Sequence, residues 1–528
     1  MALAAATVLE CRIGGADTNG AGFVTGSSGT DWSLQTSPQY SVTDGVTAGT
    51  TTITSATAAF GTDVVGNLIS VSGGTGSITQ AWYQIISRTN ATTIVVDRST
   101  GLSAGTGATL KIGGALLSPA IAASIATVGG NTVFIKYNAS PFVISSASSN
   151  VAGGVITPTN NTIFCGYDTT RTVTNTDANQ PTLQIQAALA TTIMWNGNAP
   201  TIINLILDGN AQTSSRGSTT AGLHYRCTFK NFTNGGTNNG ACLFCVFTGC
   251  STVVACGSVT ASWCVGTANT ASPFSGACVS CLAYANTGAT TDGFAINVAS
   301  GPRNCAAYNN GRHGFSWNTS GPFGANLVAE GNGVSSGTGF GFDNLSGSAT
   351  LMLLNCADFG NQSGRKNTAT IATVDIGSIT GSSSFFANAA SGNFARNNTA
   401  NAGALLAGTG FPTAFPLGLT ATALDVGAAQ ASGATDYPTA ANVRSGTTYS
   451  FGTLTGTLAV PNPNTVLTPT ATDNTTGTLT LPTAGQVQTG VVFGVGGTGT
   501  TGTLQSGGGA AGIALTDTGY WYGKKSCR

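Results

Sequence analysis

Charge is what this chain has least of. Lys, Arg, Asp and Glu make up 7% of its 528 residues, against about a quarter in ordinary globular domains. Glu stands only at Glu10 and Glu330, Lys occurs six times, and 18 basic residues balance 18 acidic ones. With no net charge, nothing draws in nucleic acid or an anionic membrane surface. Strong helix formers are scarce, which excludes long surface helices. No apolar run reaches the ~18 residues of a membrane span, so no membrane insertion is expected. The opening "MALAAATVLECRIGG" has a short apolar stretch but no basic segment before it, and Glu10 and Arg12 follow at once; a cleavable signal peptide is not expected. The 13 cysteines are odd in number, and without an export signal a disulfide framework is the weaker reading.

What is present is Gly (75 residues), with Ala, Ser, Thr and Asn, while 41% of residues are still hydrophobic. The apolar residues recur in short regular runs, which reads as an ordered β protein rather than disorder. Ten of the cysteines lie between Cys227 and Cys356. Cys227, Cys245, Cys264, Cys281, Cys305 and Cys356 fall in one column, with Leu205 before them and Leu327 in the gap. Five residues on comes a second column, Asn210, Phe232, Cys250, Asn269, Asn286, Asn310, Asn332 and Asn361. A period near 20 residues is a solenoid signature. The expected fold is all-β: a right-handed parallel β-helix with an N-terminal β cap domain and a C-terminal β-rich multimerising stalk. Rungs ~4.8 Å apart stack equivalent side chains. The inward column therefore takes a small apolar residue, and free Cys suits it. Asn suits the left-handed backbone of a sharp turn and can bond its equivalents along the axis. The competing reading is zinc at Cys242-x-x-Cys245 and Cys278-x-x-Cys281. The register puts Cys245 and Cys281 two rungs, ~10 Å, apart, too far for thiolates that must each sit ~2.3 Å from one ion. No metal and no cofactor is expected.

Five segments follow: a lead-in at 1–42, a small β cap at 43–114, the β-helix at 115–400, a closing segment and linker at 401–437, and a stalk or docking region at 438–528. In the last, "PTAANVRSGTTYSFGT" from Pro438 and "PTAGQVQTGVVFGVGGT" from Pro482 are one repeated unit, and "TGTL" occurs at Thr455, Thr476 and Thr501. So short and Gly-rich a stretch cannot bury a core alone, so several chains are expected to wind together. The last residues, "TDTGYWYGKKSCR", suit a foot that docks on another protein.

The rungs "NCAAYNNGRHGF" and "SCLAYANTGATTDGF" resemble repeats of the pectate-lyase superfamily of right-handed β-helices. "FFANAASGNF" with "ALDVGAAQ" is similar to the closing motif of many such proteins. "NVRSGTTYSFGTLTGTLAVP" and "GGADTNGAGF" resemble structural proteins of tailed bacteriophages. The resemblance implies homotrimeric spikes, fibres or capsid decorations on a virion, in contact with capsid, neck or tail proteins. It also implies that a glycan-cleaving site can sit on the side of the helix.

A catalytic site would need paired carboxylates or a calcium-binding acidic cluster. The acids are scattered, and Glu330 with Asp343 or Asp358 is the one conceivable pair. His313, beside Arg312, could act as a general base, though a histidine in a turn is the plainer reading. "GVGGTGTTG" at 494–502 lacks the Lys and the helix of a phosphate loop. Tyr284 and Tyr308 on successive rungs, with Trp263 and Trp317, could stack on host-surface glycans or line a trimer interface. The expected function is thus non-enzymatic and structural, in the virion. A polysaccharide lyase or hydrolase and a bacterial surface adhesin are the alternatives.

Overall fold

The structure, a computed structural model, describes residues 3–407 apart from short stretches, of which 145–155 is the longest, and only short pieces between 427 and 503 beyond that. The chain forms two compact units, Met1–Ala431 and Ser432–Arg528.

The first unit is a right-handed parallel β-helix carrying a six-stranded barrel. Its second face is a run of eleven parallel strands from Phe142–Ile144 to Ile379–Thr380, about 48 Å from first to last at the usual strand spacing. The first face runs in parallel from Thr7–Cys11 through Thr132–Lys136 to Ala277–Val279. It continues past Arg303 to Phe323–Ala325, Leu351–Leu354 and Thr373–Ile376. The third face joins Ile193–Trp195 and Arg216–Ser218, by single bridges at Thr237, Cys256 and Phe274, to Phe294–Ile296, Phe315–Trp317 and Phe342–Asn344. Most strands are three residues long because each faces a corner on either side. In most second-face strands the middle residue points in and its neighbours out.

The cysteine column stands at the corner between the first and second faces. Backbone hydrogen bonds hold its register: Val246 N–H to the Cys227 carbonyl, Val265 to Cys245, Leu282 to Cys264 and Ala306 to Cys281, each 2.9–3.0 Å. Each column residue follows a left-handed one, at Asn204, Arg226, Phe244, Trp263, Ser280, Asn304, Asn326 and Asn355. The thiols of Cys227, Cys245, Cys264 and Cys281 each lie 3.4 Å from a carbonyl oxygen one rung behind, that of Ile202, His224, Cys242 or Ala261. A thiol therefore fills the corner as a small hydrophobe and also offers a weak donor to it. Cys242 and Cys278 belong to a second inward column three residues earlier, Ile202, His224, Cys242, Ala261, Cys278. The C-x-x-C pairs are thus two core columns seen in one rung. All twelve described cysteines are free and buried.

The asparagine column lies beyond the second face. The amide of Asn269 donates to Asn286 Oδ1 (2.9 Å), Asn286 to Asn310 (2.8 Å), Asn310 to Asn332 (2.9 Å) and Asn332 to Asn361 (2.8 Å). The second amide hydrogen of each goes to a strand carbonyl, Phe247, Gly266, Ala283 and Ala307 in turn. Of the column only Asn210, at φ 50°, supplies the left-handed turn expected of it; the five asparagines from Asn269 to Asn361 do not. That conformation belongs to the residue before, Ala268, Ala285, Asn309, Gly331 and Gly360, at φ 51–62°. The ladder residue needs both donors and the acceptor aimed along the axis, which the turn position does not allow.

The start of the chain is not a separate lead-in. Val8–Cys11 pair in parallel with Thr132–Ile135, so the solenoid begins at Thr7. The barrel, Tyr40–Ile112, is inserted between that strand and the next. It closes through Tyr40–Thr47 and Gly105–Ile112, around Phe60, Ile69, Val71, Ile85, Ile94 and Leu110. Buried Glu10 accepts from Arg12 (2.8 Å) and Tyr167, and Arg171 reaches both Glu10 and Asp31. This network ties the first strand and the turn at Trp32–Leu34 to the third strand of the face. Helix Pro119–Ile125, capped by Ser118, adds Ala122, Ala123 and Ile125 to the core next to Leu3.

In the second unit, Thr448–Tyr449 pairs with Leu454–Thr455 and Ala471–Thr472 with Thr475–Thr476, both antiparallel. Most of the two repeats and the C-terminal foot lie outside the described residues.

Two outcomes follow. Asn310→Leu, close in size, leaves one amide hydrogen of Asn286 without its acceptor inside the fold, while Asn332 Oδ1 keeps the backbone N–H of residue 310, and should cost about 2 kcal/mol, seen as a lower melting temperature. The twelve cysteines from Cys11 to Cys356 should resist iodoacetamide in the native protein and react in guanidinium, as read by peptide mass. Burial keeps the reagent from all twelve, and at Cys165, Cys250 and Cys356 it also pushes the thiol up to about 12, so thiolate, the reactive form, is scarce at those three.

Candidate functional site

The structure does not bring the expected carboxylates together. Glu330 ends the strand Val328–Glu330 and points out of the second face, in line with Asp208, Lys230, Thr248, Thr267, Tyr284 and Tyr308. Asp358 is one rung on, opposite Ala329, and so points the other way, into the end of the core. There it meets Arg365 at 2.9 Å, and Arg365 also holds Asp375. Asp343 lies on the third face, opposite Ser316. Three acids thus face three directions, and spacing in the sequence carried no information on which side of a strand each would fall.

His313 does find a carboxylate. Its Nε2 is 3.0 Å from Asp343 Oδ2, and its Nδ1 accepts the Phe340 N–H at 3.0 Å. Since Nδ1 accepts, the proton sits on Nε2 and is given to Asp343. Burial lowers the His313 pKa, against Asp292 and Asp343, which raise it. Asp292, which sequence reasoning passed over, binds both Arg312 nitrogens at 2.7 and 2.6 Å, the His313 N–H at 3.1 Å and the Ser316 hydroxyl. Both ring nitrogens of His313 are engaged, and the group ties three consecutive rungs under the turn at Gly339–Phe340. Asp343 Oδ1 is buried with no partner among the described residues.

The second histidine is wholly internal. His224 Nε2 is 3.1 Å from the Ser218 hydroxyl, and its Nδ1 is 4.0 Å from Cys242 Sγ. Its place three residues before Cys227 matches that of Cys242 before Cys245, a signal that was readable. Among the described residues no group of three His, Cys, Asp or Glu side chains is placed to hold a metal ion.

The aromatic candidates divide. Trp317 is buried in the core and donates its indole N–H to the Phe323 carbonyl at 3.1 Å; it cannot meet a glycan. Tyr284 and Tyr308 point outward, but the closing segment lies over them. Hairpin Phe386–Asn388 with Asn393–Arg396 packs Phe394 on Tyr284 and on Tyr308, at 4.8 and 5.7 Å between ring centres. Phe385, Phe386 and Leu406 complete this patch with Val328 and Ala357. The first part of the closing motif, "FFANAASGNF", thus lies on the side of the helix, where its three phenylalanines meet the outward column Leu282, Ala306, Val328 and Ala357; "ALDVGAAQ", Gly427 apart, lies outside the described residues. Trp263 alone remains at the surface, stacked on Phe244 at 5.1 Å with rings 9° apart.

No family model matches the chain, and no curated protein matches it. Solved structures similar in chain course include the A-module of the mannuronan C-5 epimerase of Azotobacter vinelandii: 15% identity, TM-score 0.31, 49% of this chain and 90% of that one. Pectate lyase Pel9A aligns at 13% identity and TM-score 0.31 over 60% of this chain and 91% of that one. The tailspike protein gp49 of Pseudomonas phage LKA1 aligns at 9% identity and TM-score 0.15, over 65% of this chain and 66% of that one. No activity carries over from likenesses at these values.

Glu330 is the buried acid whose titration is most easily read. The closing segment buries it, its carboxylate accepts the Phe385 N–H at 3.0 Å, and burial raises its pKa. A raised folded pKa means stability that is full below the ordinary glutamate range and is lost as pH rises through the folded value. Amide exchange at 385–396 should therefore speed up as pH rises above that range, after correction for the intrinsic rate. Glu330→Gln should remove the extra dependence.

Proposed function

We propose that this chain is a non-enzymatic structural protein of a bacteriophage particle. In this reading the β-helix is a stiff lateral rod, the second unit joins three copies, and capsid, neck or tail proteins are its partners. One observation carries it: four buried acids of the helix are engaged in holding it together. Glu10, Asp292, Asp343 and Asp358 are all buried against Arg, His or Tyr partners, while most of the surface is left to hydroxyls and amides. A rod of this kind resists bending and packs beside copies of itself without charge repulsion. The repeated C-terminal units and the resemblance to phage structural modules support the same reading.

A second reading, a polysaccharide lyase or hydrolase, has Asp343 as its one specific support, through its unpartnered oxygen beside His313.

Light scattering of the full chain should give three times its 52.3 kDa, and antibody-gold should decorate particles. A monomer absent from particles would sink the structural reading. Cleavage of host capsule by the wild-type chain, slowed at least 100-fold in Asp343→Asn, would install the second.

A further inference from the structure

The corner between the first and second faces is left-handed at every rung from Asn204 to Asn355, at φ 48–56°. Asn tolerates that backbone, whereas bulky residues adopt it at a cost. Four rungs use Asn. Two successive ones instead place Phe244 and Trp263 there, at φ 55° and 52°. Burial does not compensate: Phe244 is 44% exposed, its ring stacked on Trp263 and edge-on to Tyr225. The next corner residue, Ser280, is too short to cover the open side of the indole. Strained backbone that displays rather than buries a ring is a mark of a binding surface.

The charges around these rings are of one sign. No Asp or Glu occurs between Asp208 and Asp292. Arg226 sits at the corner one rung before Phe244, and Arg303 stands on the first face two rungs after Trp263, opposite Val279. Neither takes part in an ion pair among the described residues. Four rungs separate them, about 19 Å along the axis. The guanidiniums of Arg226 and Arg303 bracket a short aromatic step, Arg303 lying over the Phe323 ring at 5.8 Å, on a chain that is otherwise nearly uncharged.

We propose that this corner binds an anionic polysaccharide lying along the rod. The apolar faces of its sugar rings rest on Phe244 and Trp263, and its carboxylate or sulfate groups meet Arg226 and Arg303. The wide spacing of the cations favours a sparsely charged saccharide over a nucleic acid, which carries a phosphate every few ångströms and calls for a continuous basic groove. The site goes beyond the structural role and does not require it.

The test is affinity electrophoresis of the full chain against hyaluronan, alginate and heparin, with dextran as the neutral polymer and a thirty-residue oligothymidylate as the nucleic acid. Retardation by at least one acidic polysaccharide and none by dextran is expected, weakening with salt. Arg226→Gln with Arg303→Gln should weaken it at least tenfold. Phe244→Asn and Trp263→Asn should do the same with a melting temperature within a few degrees of wild type, because they install the residue that four other rungs use at this corner. No retardation by any acidic polysaccharide would overturn the proposal. So would retardation by the oligothymidylate alone, or a Trp263→Asn protein that binds normally but changes its mass in light scattering, which would make the corner a contact between copies. The mass and particle location of the wild-type chain are independent of this result, so either reading can fail alone.

Discussion

The constraint everything else depends on is the backbone hydrogen bond from one coil to the coil behind it, repeated in a single register. Once Val246 is bonded to Cys227 and Val265 to Cys245, every side chain has a fixed neighbour ~4.8 Å above and below. An inward column must then be filled by residues that stack on themselves. Phe274, Phe294, Phe315 and Phe342 do so with ring centres 4.7–5.6 Å apart. Thiols do so at the tight corner, where their hydrogens also reach carbonyls. Asparagines do so beyond the second face, where the amides from Asn269 to Asn332 each donate both to the next asparagine and to a strand carbonyl. A buried polar group left unsatisfied costs more than a hydrogen bond returns, so a ladder of this kind is stable only when continuous.

The same register explains why the acids are poor candidates for chemistry. A strand of three residues offers one inward and two outward positions. Asp358 takes an inward one near the end of the core, where Arg365 neutralises it. Glu330 takes an outward one, later covered by the hairpin at 386–396. Asp292 and His313 reach across consecutive rungs at a turn and tie them together. Charge inside a dry solenoid has to be paired, and here the pairing doubles as a fastening between coils.

The surface that remains follows from the same geometry. The outward column Leu282, Ala306, Val328 and Ala357 is apolar and, with Tyr284 and Tyr308 beside it, is covered by the closing segment, so those tyrosines belong to packing. The first-to-second corner is open at Phe244, and two rungs there accept a strained backbone to carry large rings. Stacking along the axis organises those rings as it organises the core, but outside it. A stiff wall with a short aromatic step and two cations can present one surface to a long, weakly charged polymer without deforming.

The coil register, the cysteine column, the asparagine column and the repeated C-terminal units were all legible in the sequence, because a solenoid writes its period directly into spacing. The second inward column, with His224, was legible too, three residues before the first. The first strand at Thr7–Cys11 was not: its partner lies beyond an inserted barrel, and no local pattern records a pairing across 120 residues. Nor could spacing say that Trp317 faces in, that Glu330 and Asp358 lie on opposite sides of one sheet, or that a later hairpin hides Tyr284 and Tyr308. Period is a property of the chain, whereas which side a residue faces and what folds over it depend on strand limits and distant contacts, and those only the tertiary structure decides.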